Sequence, residues 1–170
     1  MLVVPNFSLA AFAAVSLVLL TACGFHLRAG VELPAVLENT YLQSQALYSG
    51  VATELRLELQ SAGASLTEQR DEATGVINVL NERSQQRVLS VGSAGRASEY
   101  ELFEEVSFAL EDPQGNVLIE PQTLRMTRDL VFDDTQLLGK VGEAEVIRRQ
   151  MQRDLARQII TRIRVGMRPR

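Results

Sequence analysis

Ser98-Glu99-Tyr100-Glu101-Leu102-Phe103-Glu104-Glu105-Val106-Ser107-Phe108-Ala109-Leu110-Glu111 is the stretch that decides the fold. Tyr100, Leu102, Val106, Phe108 and Leu110 fall on even positions, while Glu99, Glu101, Glu105 and Glu111 fall on odd ones. That period of two is the pattern of a strand with one face buried and one wet. Glu104 is the only charge on the apolar side. Asp112-Pro113-Gln114-Gly115-Asn116 then supplies turn chemistry. Alternation resumes at Leu124, Met126, Leu130 and Phe132, which predicts a strand folded back on the first. Pro121 has no N–H for a ladder, so it places this last strand at a sheet edge or marks a bulge where the inward register changes.

Working outward, Gly75 to Val91 has apolar ends (Val76, Ile77, Val79, Leu80; Val88, Leu89, Val91) around a polar middle, Glu82 to Arg87, and reads as a long, partly exposed strand. Gly92-Ser93-Ala94-Gly95 offers two residues that tolerate the positive φ of a hairpin turn. Leu47, Val51, Leu55 and Leu59 recur every four residues before Gly63, which predicts an amphipathic helix and its stop. Leu37 to Ser44 is the candidate first strand.

A second helix is predicted over Glu143 to Val165, with Ala144, Ile147, Met151, Leu155, Ile159 and Ile163 on one face and Arg149, Arg153, Arg157 and Arg164 on the other. Residues 141 to 170 hold eight Arg against Glu143, Glu145 and Asp154, a net +5 that leaves −9 for the rest of the chain. A solvated face explains such a stripe, with Glu145 pairing with Arg149. Attraction to phosphate-rich headgroups or to an acidic partner is the functional alternative. The expected fold class is α+β: a two-layer sandwich in the order β-α-β-β-β-α, with one four-stranded mixed sheet and both helices on its apolar face.

Composition narrows the chemistry. With 170 residues, 46% hydrophobic and 22% charged, the chain is sized for one folded domain. Its net charge of −4 argues against nucleic acid as a partner. One cysteine and one histidine leave no set from which to build a zinc site, so no metal is expected. No charge precedes Arg28, and Leu9 to Leu20 is apolar except for Ser16, as in an export signal. Leu20-Thr21-Ala22-Cys23 resembles the bacterial lipobox. By that resemblance residues 1–22 are a signal peptide, and Cys23 becomes the first mature residue, carrying S-diacylglycerol and N-acyl chains. Two or more chains anchor stably where one does not. Residues 23–36, with Gly24, Gly30 and Pro34, then form an anchor and tether, and residues 37–170 form a single domain. Gly24 after the cysteine implies sorting to the outer membrane.

No nucleophile elbow, phosphate-binding glycine loop or metalloprotease helix occurs, so an enzyme is not expected. Glu104 and Glu105 alternate across a strand and cannot share a substrate. Cys23-Gly24-Phe25-His26-Leu27-Arg28 at a lipobox, a glycine turn leading into Ser98-Glu99-Tyr100-Glu101-Leu102, and a final Arg-rich amphipathic helix together resemble the lipopolysaccharide-assembly lipoprotein family LptE. The resemblance spans the mature chain in order and spacing. It implies a lipid-anchored outer-membrane protein, facing the periplasm and the lumen of a partner barrel. There it plugs LptD, helps that barrel assemble, and assists lipopolysaccharide insertion into the outer leaflet. Lipopolysaccharide presents phosphates beside acyl chains, so its binder needs cations on exposed turns. Arg96, after the glycine turn, and Lys140, on the loop expected before the last helix, are the candidate headgroup contacts. The alternative is a free-standing periplasmic lipoprotein that binds lipid or peptidoglycan, or chaperones another envelope assembly machine.

Overall fold

A computed structural model describes residues 33–48, 50–91, 97–131 and 137–168. Strands β1 (Asn39–Ser44), β2 (Ser65–Thr67), β3 (Gly75–Val91), β4 (Ala97–Glu111) and β5 (Val117–Val131) form one sheet in the order β2-β1-β3-β4-β5. Helix α1 (Gly50–Ser61) connects β1 to β2, and α2 (Leu137–Gly166) ends the domain. β1 runs parallel to both β2 and β3, whereas β3, β4 and β5 form an antiparallel meander. The sheet is mixed and the fold is α+β, as the periodicities predict.

The sheet has five strands rather than four. β2 is three residues long, too short to carry a period, and it forms because Gly63 (φ +96°) ends α1 and turns the chain back beside β1. Other boundaries shift modestly. Leu37 belongs to a 3-10 turn ahead of β1, and β5 begins at Val117 rather than near Leu124. The last helix starts at Leu137 rather than Glu143, so Lys140 lies inside it and not on a preceding loop. At about 1.5 Å per residue its 30 residues span about 45 Å.

Both readings of Pro121 hold together. β5 is the edge strand, and between Phe108↔Gln122 and Leu110↔Ile119 it gains one residue over β4. The bulge moves the inward register from even positions (Leu124, Leu130) to the odd Ile119, and all three are buried. A second bulge between Val79 and Asn81 does the same for β3, whose inward residues become Glu82, Ser84 and Gln86, opposite Val106, Glu104 and Leu102.

The core lies between this face and the helices. Val51, Leu55 and Leu59 of α1 and Leu155, Ile159 and Ile163 of α2 pack on Ile77, Val79, Phe108 and Leu110. A smaller cluster, Leu102, Leu130, Ala144 and Met151, lies farther along β4 and β5 under the first half of α2. On the opposite face Arg70 pins the β2–β3 connection to the sheet: it pairs with Glu111, and its Nε donates to the Pro113 carbonyl at 3.2 Å.

Candidate functional site

The register gathers one end of the sheet. Val91 pairs with Ala97, and Glu99 with Val131. The β3–β4 connection and the entry to α2 therefore leave the sheet at the same end, called distal here. Cys23 and Arg96 lie outside the described residues, as does the glycine turn. Lys140 is placed by its backbone in the first turn of α2. Sequence separation hides this shared end; the antiparallel meander creates it. Around it Val88, Leu89, Val91 and Val131 are exposed. Clustered exposed apolar side chains mark contact surfaces more often than isolated ones do.

Beneath the distal end lies a polar network that the sequence flagged only as a single misplaced charge. Glu104, on the inward face of β4, is 3% exposed. Ser84 Oγ donates to its Oε1 at 2.5 Å, Gln152 Nε2 to its Oε2 at 3.5 Å, and Arg148 Nε lies 3.3 Å from Oε1. Burial pushes the Glu104 carboxyl above its ordinary pKa, while the hydrogen bonds from Ser84 and Gln152 and the Arg148 charge pull it down. Arg148 is held in turn by Glu145 at 2.7 Å. The partner of Glu145 is thus Arg148, not Arg149, because Arg148 is the arginine that turns inward to meet Glu104. Glu105 faces the other way and accepts from Arg125 at 2.5 Å, so the two adjacent carboxylates share nothing, as alternation requires.

Glu82 does a different job. Gly50 takes φ +62° at the first residue of α1, and the Glu82 carboxylate accepts from Val51 N at 2.8 Å and Ala52 N at 3.1 Å. It caps the helix from across the sheet, satisfying two N–H groups that have no partner inside the helix. Partial burial raises its pKa, the two backbone donors lower it, and Glu104 raises it further. The signal available was a charge at an inward position of β3, recognisable only once the bulge at Leu80 is known.

The arginine stripe is largely a helix–helix device. Arg153 Nε reaches Glu54 at 3.3 Å, Arg157 Nη1 reaches Glu58 at 3.5 Å, and Arg157 also meets Asp154. The acids of α1 therefore occupy the middle of the stripe, which favours its structural reading over headgroup attraction. Among the described residues no His, Cys, Asp and Glu cluster could hold a metal ion, and no helix is long and apolar enough to cross a membrane.

The family model of LptE, described as lipopolysaccharide-assembly, matches residues 36–163, nearly all of the described domain. The chain belongs to the LptE family. The LPS-assembly lipoprotein LptE of Photorhabdus laumondii is 28% identical over 147 residues, covering 86% of this chain and 80% of that protein. The counterpart from Pectobacterium atrosepticum is 24% identical over 151 residues, covering 86% and 79%. Among solved structures, lipoprotein B from Nitrosomonas europaea has a TM-score of 0.67 at 31% identity, covering 81% of this chain and 88% of that one. A minor lipoprotein from Acinetobacter baumannii has a TM-score of 0.60 at 28% identity, covering 76% and 92%. The family's fold is thus the sandwich described above.

Proposed function

We propose that this chain is an outer-membrane LPS-assembly lipoprotein that plugs and helps assemble the LptD β-barrel and assists lipopolysaccharide insertion by binding and scaffolding, without catalysis. The match of the lipopolysaccharide-assembly family across residues 36–163 carries this reading, and relatives bearing that name cover most of the chain. Cys23, acylated after cleavage behind residue 22, ties the domain to the periplasmic side through the tether 23–36.

The distal end supports the ligand half of the proposal. A lipopolysaccharide headgroup sets phosphates beside acyl chains, and exposed Val91 and Val131 end the strands that precede Arg96 and Lys140 in the sequence. Those two cations are the proposed phosphate contacts. The outer face of the sheet supports the partner half. Glu99, Glu101, Arg83, Arg87 and Arg125 give it a polar surface, and the interior of a membrane barrel is polar. Among the described residues helices cover only the inner face, which leaves this outer face as the one proposed to meet a barrel wall.

Three measurements test the proposal. Tagged protein from gently solubilised outer membranes carries a large barrel partner; recovery without one removes the plug. Mass spectrometry of the mature amino terminus finds acylated Cys23; an unmodified or uncleaved terminus removes the anchor. Arg96→Glu with Lys140→Glu lowers lipopolysaccharide binding while the barrel still assembles, and unchanged binding removes these residues from the site.

A further inference from the structure

The sheet edge farthest from β5 carries a cavity that the lipopolysaccharide reading does not use. β2 pairs with β1 only over Asn39–Tyr41, so Leu42, Gln43 and Ser44 have a strand neighbour on the β3 side alone among the described residues. Beyond the end of β2, against Tyr41 and Leu42, lies a cavity of about 370 Å³. Leu66 and Thr67 line it from β2, Leu47 and Tyr48 from the β1–α1 turn, and Arg56 from α1. A strand added in the row of β2 would run through this space.

Arg56 supplies the charge preference. Its guanidinium stacks on the Tyr48 ring at 5.6 Å, its Nε is buried with no hydrogen-bond partner, and among the described residues it forms no ion pair. Arg153 and Arg157 differ, because both find acids on α1. Glu68 lines the same cavity without pairing with Arg56. Open edges bind extended peptides through main-chain hydrogen bonds, and pockets beside the edge select alternate side chains. A guanidinium without a carboxylate at such a pocket selects an acidic side chain, since charge-assisted pairs are the stronger ones.

We propose that an extended acidic segment of a partner protein adds to the sheet along Leu42–Ser44, with an Asp or Glu on Arg56 and an apolar residue two positions away against Leu47 and Leu66. Glu68 disfavours a second acid on that face. This site lies at the opposite edge of the sheet from β5 and does not rest on the lipopolysaccharide assignment.

The full chain, purified from membranes in detergent, is titrated with a fluorescein-labelled, end-blocked Thr-Glu-Thr-Val-Thr peptide and with the same peptide carrying Gln for Glu. The acidic peptide binds about tenfold more tightly, as expected for a hydrogen bond to a charged group. Arg56→Gln abolishes that preference, and amide hydrogen exchange slows at Leu42–Ser44 when the peptide binds. Equal binding of the two peptides to the unmodified chain overturns the proposal whether or not the variant folds. Protection mapping elsewhere overturns it too. Inorganic phosphate and phosphatidylglycerol vesicles are measured in parallel. If either binds in an Arg56-dependent way without slowing exchange at Leu42–Ser44, Arg56 serves a headgroup and the strand-addition site is lost.

Discussion

Arg148→Ala separates a buried charge network from an ordinary surface pair. Arg148 Nε lies 3.3 Å from a Glu104 carboxylate whose side chain is 4% exposed. At an effective dielectric of about 20, that separation corresponds to a gross attraction of about 5 kcal/mol. Desolvating both groups offsets much of it, so the pair contributes little net stability, but removing one partner strands the other. Ser84 and Gln152 remain as donors in the variant, which places the expected loss at about 3 kcal/mol, the low end for a broken buried pair. For a domain of this size that corresponds to about 6–12 °C in Tm. Glu104→Gln, by contrast, keeps the shape and leaves Arg148 with Glu145; its cost is about 1 kcal/mol or less. The double variant recovers most of the loss seen with Arg148→Ala. Acidity supplies a further check, because without Arg148 the Glu104 carboxyl rises further and takes up a proton more readily. The penalty therefore shrinks between pH 7 and pH 5. Urea unfolding of the four proteins at both pH values measures all of this. A penalty for Arg148→Ala as small as that for Arg149→Ala, or one unchanged by pH, refutes the reasoning.

Glu82 and Glu104 both have folded-state pKa values raised mainly by burial, so the folded protein holds their protons more tightly than the unfolded chain does. Their contribution to stability is complete below the ordinary carboxyl value of 4.5 and is lost as pH rises through the raised values. Changing both to Gln flattens the pH dependence of unfolding on that limb, and an unaltered profile contradicts the assignment. Asp112 works in the opposite sense: hydrogen bonds from Asn116 and the turn backbone lower its pKa, so its contribution is present above its ordinary 3.8 and fades as pH falls through the lowered value. Gly75→Ala brings a Cβ within 2.4 Å of the Val36 carbonyl oxygen in the 3-10 turn ahead of β1, and thermal unfolding is expected to register a loss of about 1–3 kcal/mol. A double-mutant cycle on Glu54 and Arg153, 3.3 Å apart with Arg153 half exposed, gives a coupling of about 0.5–1 kcal/mol, small because of solvent screening. Zero coupling there would return the arginine stripe to the solvated or headgroup-facing readings.

The meander was legible because its information is local. Alternation over Tyr100–Leu110 states which face is buried, Pro121 states that β5 is an edge or that its register slips there, and four-residue spacing in Leu47–Leu59 and Ala144–Ile163 states which stripes meet the sheet. Each is a projection of neighbouring side chains onto one axis, and neighbouring residues suffice to read it. Of the candidate site, the sequence nominated Cys23, Arg96 and Lys140 through a family resemblance and marked Glu104 as anomalous, but it could not say what Glu104 meets. Tertiary structure decided that Glu82 caps a helix 31 residues away, that Arg153 pairs with Glu54 across 99 residues, and that Lys140 enters the helix it was expected to precede. It also decided that, among the described residues, a three-residue β2 leaves the β1 edge open beside Arg56. Such contacts depend on register and on two bulges, each of which exchanges the two faces of a strand with a single residue. A local period cannot encode a partner that only the closed sheet brings near.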